Sequence, residues 1–163
     1  MIQKIFALLV FVVGALQLTG CTLISAHATS TRMEEARSAN AGKQLIPKDS
    51  ETYLIAVGTE TISYFGSGDT DFKINNSSFT QPKGTYSLIK VPPGAYTAYA
   101  NKRVLGGGES TISIEVKEGD AICFFVVNPM SAPARIETYK GDACDPILRP
   151  LTNKNVISEV KGM

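Results

Sequence analysis

The chain has 163 residues, with 16 Lys and Arg against 15 Asp and Glu, one His, three Cys and no Trp. At 44% hydrophobic and 19% charged it has the means to bury a core, which argues against wholesale disorder, and its near-neutral balance gives no bulk attraction to nucleic acid. One domain is the expectation for this length.

The first twenty residues have a signal-peptide layout. Lys4 precedes an apolar run from Ile5 to Leu16 that ends in small residues. The run is short of the ~20 apolar residues that span a bilayer, and Gln17 and Thr19 interrupt its end. Leu18-Thr19-Gly20-Cys21 resembles the bacterial lipobox, with Leu at −3 and small residues before an obligatory Cys. The resemblance implies cleavage before Cys21, diacylation of its thiol and a lipid-anchored mature protein. Thr22, not Asp, follows the Cys, which resembles the outer-membrane sorting rule of Gram-negative lipoproteins. Removing residues 1–20 takes away Lys4 and leaves basic and acidic side chains in equal number, so bulk electrostatics does not choose a partner.

From Thr22 to Lys48 large apolar residues are scarce, and the stretch reads as a tether over residues 21–48. Thr31-Arg32-Met33-Glu34 has capping-box spacing and Gly42 is a stop signal, predicting a helix over about Arg32 to Ala41 with little apolar face to pack. After Pro47 the pattern turns to short β-rich runs between Gly, Pro, Asn and Asp. Tyr53 to Val57 suits a strand covered on both faces. Thr61 to Phe65 follows, and Phe72-Lys73-Ile74 reads as a short edge strand. Thr85 to Val91 is a strand that Pro92-Pro93-Gly94 ends, because neither proline donates to a ladder. The chain resumes at Ala95 to Ala100, and a loop from Asn101 to Gly108 closes a hairpin onto Thr111 to Val116, where Ile112, Ile114 and Val116 share a face. Ala121 to Val127 is apolar throughout and reads as the central core strand, and Ala134 to Tyr139 alternates again. The tail from Leu151 to Met163 reads as a surface helix or a frayed end. Together these predict an all-β fold, a small antiparallel sandwich spanning 49–150.

Cys123 and Cys144 remain once Cys21 is assigned to lipid. An even pair in an oxidising compartment invites a disulfide; the alternative is a buried strand thiol at Cys123 and an unrelated loop thiol at Cys144.

The stretches Val91-Pro92-Pro93-Gly94-Ala95-Tyr96, Ser110 to Val116, Glu118-Gly119-Asp120 and Ile122 to Val127 resemble the carboxyl half of small bacterial lipoprotein domains of the PEGA-like, transthyretin-like sandwich group. In that group a Pro-Pro-Gly corner precedes an alternating strand, and a Gly turn leads into an apolar core strand. Here Ile122-Cys123 stands where an aromatic usually begins that strand, and the Gly106-Gly107-Gly108 loop is added. The resemblance implies the fold and no particular activity. The corner also has its own logic, since the prolines fix φ and Gly94 permits a close backbone crossing.

Catalytic patterns are thin. His27 sits six positions beyond Cys21, outside the strands, so the sandwich offers no His-based triad or zinc site. The three glycines lack the Lys-Ser/Thr of a phosphate loop and read as a hairpin tip. Asp69-Thr70-Asp71 with Asn75 and Asn76 offers oxygen ligands without calcium-loop spacing. In Gly141 to Pro146, carboxylates beside Cys144 oppose thiolate formation. Tyr86, Tyr96 and Tyr99 read as half-buried packing or as a binding face. The expectation is a non-enzymatic outer-membrane lipoprotein without metal or cofactor, held at the periplasmic face by lipid and binding an envelope protein or other component through its sandwich. Val104 and Leu105, before the glycines, are the candidate contact. The second reading is an accessory lipoprotein of a multiprotein machine, similar to the transthyretin-like lipoproteins of type VI secretion systems; a thiol-dependent enzyme is the third.

Overall fold

The computed structural model describes residues 28–59, 68–103, 108–127 and 133–160. Among these residues a helix, α1, covers 28–40, and nine strands follow: β1 (Tyr53–Gly58), β2 (Thr70–Ile74), β3 (Ser77–Gln81), β4 (Thr85–Lys90), β5 (Gly94–Lys102), β6 (Glu109–Val116), β7 (Ala121–Val127), β8 (Arg135–Lys140) and β9 (Thr152–Asn153). Between β8 and β9 lie a 3-10 turn, Gly141–Cys144, and a one-turn helix α2, Asp145–Leu148.

The protein is mostly β and has two sheets, a five-stranded one in the order β8-β7-β1-β4-β9 and a four-stranded one in the order β3-β2-β5-β6. Their facing sides make the main core. Leu54, Ala56, Ile122, Phe124 and Val126 from the first sheet meet Phe72, Ile74, Tyr96, Ala98 and Ile114 from the second. Phe124 stands edge-on to Phe72 with ring centroids 5.1 Å apart.

The apolar run in β1 follows from burial on both sides. Leu54 and Ala56 point into the main core, while Ile55 and Val57 point the other way, into a second cluster with Leu45, Cys123, Cys144, Leu148 and Leu151. That second cover comprises the segment after α1 and the turn-helix unit after β8. The unbroken apolar character of β7 has the same origin.

The five-stranded sheet is mixed, not antiparallel. β1 pairs antiparallel with β4 but parallel with β7, in the register Leu54↔Ile122 and Ile55↔Cys123, and β9 runs parallel to β4. Parallel neighbours need a long crossover, and the passage through the second sheet between β1 and β7 supplies it. β7 is therefore internal but not central; β1 holds the middle.

Three further expectations change. β2 is flanked by β3 and β5, so it is not an edge. Its neighbour β3 is polar and joins it through the two-residue loop Asn75-Asn76, where Asn75 takes φ 50°, a left-handed conformation Asn tolerates. From residue 151 to 160 the tail is neither helix nor frayed end. Thr152 N–H donates to the Gly84 carbonyl at 3.0 Å and Lys154 N–H to that of Tyr86 at 2.8 Å, and Leu151 and Val160 are buried. The chain thus seals the β4 edge as far as residue 160. Gly94 is not at a backbone crossing either, since a Cβ built there would meet only Tyr96 Cε2, at 4.0 Å. The close approach is at Gly58, where a Cβ would collide with the Pro82 carbonyl.

At the Pro-Pro-Gly corner the chain leaves the five-stranded sheet for the four-stranded one. The Tyr96 hydroxyl, in an otherwise buried side chain, donates to the Pro92 carbonyl at 2.6 Å and fixes that change of direction.

Candidate functional site

Cys123 and Cys144 are paired, with Cα atoms 5.8 Å apart, inside the range a disulfide requires. Strand alternation explains the meeting. In β7, Ile122 and Phe124 face the main core, so Cys123 faces the outer cover, where the 3-10 turn delivers Cys144. Both are fully buried. The bond fastens the cover to an internal strand, a structural duty and not an exposed reactive thiol.

Of the two carboxylates beside Cys144, Asp142 is exposed and Asp145 is engaged elsewhere. Asp145 accepts from Arg149 Nε at 2.7 Å and Nη2 at 3.0 Å. Arg149 also donates to the Asn40 carbonyl, and Asn40 Nδ2 returns bonds to the carbonyls of Arg149 at 3.0 Å and Leu151 at 2.9 Å. Burial, and then the Asp145 charge, raise the Tyr86 phenol above its ordinary value.

A half-open groove of about 800 Å³ lies over this cover, between residues 42–49 and the unit containing Asp142, Asp145 and Arg149. Gly42, Gly119 and Gly141 sit on its wall with φ between 57° and 74°, and no atom lies within 4 Å of a Cβ built on any of them. Its charges are mixed, with Lys43 and Lys48 near Asp49 and Asp142.

The oxygen cluster considered for calcium is satisfied by the protein itself. Asp71 takes Arg103 Nε at 2.6 Å, Arg103 Nη2 at 2.7 Å and the Thr80 hydroxyl at 2.6 Å, while Asp69 accepts the Lys83 N–H at 3.1 Å. Burial alone would raise the Asp71 carboxyl, but the Arg103 and Thr80 bonds outweigh it and hold the group below the ordinary carboxylate value. Among the described residues no three His, Cys, Asp or Glu side chains gather as a metal site. Of the tyrosines, Tyr86 and Tyr96 are core, and Tyr99 is half-exposed on the outer side of the four-stranded sheet between two shallow recesses.

Cys21, His27, the strand expected over Thr61 to Phe65, and the Val104-Leu105 pair with Gly106 and Gly107 lie outside the described residues. Gly108 is described and packs tightly, since a Cβ there would stand 2.6 Å from that of Ala134. No described helix is long and apolar enough to cross a membrane. No family model, curated protein or solved structure matches the chain.

The sequence reading missed the Asn40–Arg149–Asp145 network. Its only sequence signal is the Asp145 to Arg149 spacing of four, an ion pair across one helical turn.

Proposed function

We propose that the protein is a lipid-anchored lipoprotein of the bacterial cell envelope, acylated at Cys21, whose transthyretin-like sandwich binds an envelope component without turning it over. The observation that carries the reading is the buried Cys123–Cys144 pair, 5.8 Å between Cα atoms. Such structural pairs persist where the compartment oxidises thiols, and the lipobox-like Leu18-Thr19-Gly20-Cys21 sends the chain there. In a Gram-negative cell the Thr22 rule places it at the periplasmic face of the outer membrane. Two or three acyl chains, at ~0.8 kcal/mol per buried methylene, make an anchor that does not exchange. A domain held this way has no need of a transmembrane helix.

Cells fed labelled palmitate should incorporate it into the wild-type protein, and Cys21→Ser should remove the label and leave the precursor uncleaved. Efficient release of a soluble, unlabelled wild-type protein would overturn the anchor. Crosslinking in cells followed by purification should recover a constant envelope partner, and its absence across crosslinker chemistries would remove the binding role.

A further inference from the structure

Helix α1 presents one stripe to the domain. Thr29, Met33 and Asn40 are half-buried and Ala36 is buried, while Arg32, Glu34, Glu35, Arg37 and Ser38 are exposed. Spacings of four, three and four are those of a single face at 3.6 residues per turn. A recess of about 350 Å³ lies between this side of α1, at Met33 and Ala36, and the turn at Lys83-Gly84-Thr85 with Pro150 and Thr152. At the last turn the seating becomes specific through the reciprocal bonds between Asn40 and the Arg149–Leu151 backbone, with Arg149 held by Asp145. Gly42, at φ 70°, then turns the chain so that Leu45 enters the second core cluster. The stretch expected to be a loose tether is thus fixed to the unit that Cys144 bolts to β7.

We propose that α1 is a mooring: residues 28–48 belong to the domain, so that no more than the seven peptide steps from residue 21 to 28 separate it from the anchor at Cys21. The proposal rests on the acylation of Cys21 for its membrane end and on α1 alone for its protein end. A free chain from residue 21 to 48 would reach about 90 Å at full extension, whereas seven peptide steps span at most about 25 Å. The domain therefore works in a layer close to the membrane, and the component it binds must come within that layer.

Hydrogen exchange on the detergent-solubilised full-length protein tests the protein end. A 13-residue helix in water is marginal by itself, so docking should slow the amides of Ala36 to Asn40 at least tenfold relative to the same segment as a free peptide. Asn40→Ala and Asn40→Asp, neither of which carries the amide donors, should abolish most of that protection while β1 and β7 amides stay unchanged. Free-peptide rates in the wild type would overturn the mooring, and so would full protection in both variants. Palmitate labelling of the same preparation separates the two readings: protection without label leaves the helix docked but removes the anchor and the bound on its distance from the domain.

Discussion

Replacing Cys123 and Cys144 together by Ala measures how much of the fold depends on one covalent bolt. The cysteines are separated by 21 positions, and closing a loop of that size removes about 3 kcal/mol of unfolded-chain entropy at 25 °C on the chain-entropy account. Both side chains are fully buried beside Ile55, Val57 and Leu148, so deleting two sulfurs adds a cavity cost on the order of 1 kcal/mol. The sum, about 4 kcal/mol, is a large part of the 5–15 kcal/mol typical of a domain and corresponds to a fall in Tm on the order of 10 °C. Urea titrations followed by far-UV circular dichroism would compare the wild type, the wild type reduced before unfolding, and the double variant. Both of the last two should have midpoints well below the first, with the double variant the lower by its cavity cost of about 1 kcal/mol. A double variant within about 0.5 kcal/mol of wild type, or two titratable thiols in protein folded under oxidising conditions, would refute the account.

Tyr96→Phe keeps the ring in the core and loses only the bond to the Pro92 carbonyl, 2.6 Å long, so it should cost about 0.5–1.5 kcal/mol by denaturant melt. Val160→Ala should cost about 1.5–3 kcal/mol if the tail belongs to the core as its burial indicates; a neutral effect would return the tail to the surface. The Lys140 ammonium, 2.7 Å away, and then the Lys117 N–H depress the Asp120 carboxyl. A folded pKa below the unfolded one gives stability that is present above about pH 4 and lost as pH falls through the folded value. Stability should therefore decline on acidification below that point, and Asp120→Asn should flatten the decline in melts taken between pH 5 and 2.

Strands with strong pattern were legible because burial leaves its mark on composition. The doubly covered β1 and the alternating β6 are examples. The polar β3, Ser-Ser-Phe-Thr-Gln, carries one large apolar residue, and its signal lay in the Asn-Asn turn before it, which the same residues disguised as metal ligands. Parallel pairing of β1 with β7 is invisible to periodicity, since either orientation alternates faces alike. The docking of α1 rests on Ala36, Asn40 and Leu45. Of these only Leu45 is large and apolar, so a count of such residues does not find the contact, and the arginine that completes it lies more than a hundred positions away. The cysteine pair was legible from its even number and the expected oxidising compartment, its geometry only from the strand faces.

The place of β1 between β4 and β7 also sets the order of events as the chain is made. Synthesis proceeds from the amino end at roughly 5–20 residues per second, so Ile55 is complete several seconds before its partner Cys123 exists. During that interval Leu54 to Val57, all without exposed surface in the finished protein, have at most the β4 side to cover them, and the edge meant for β7 stands open to any other strand. Sequence-distant pairing of this kind slows folding. The middle of the sheet is thus a late seam to close, and a chain kept from folding early is a chain whose first strand must be shielded by something else.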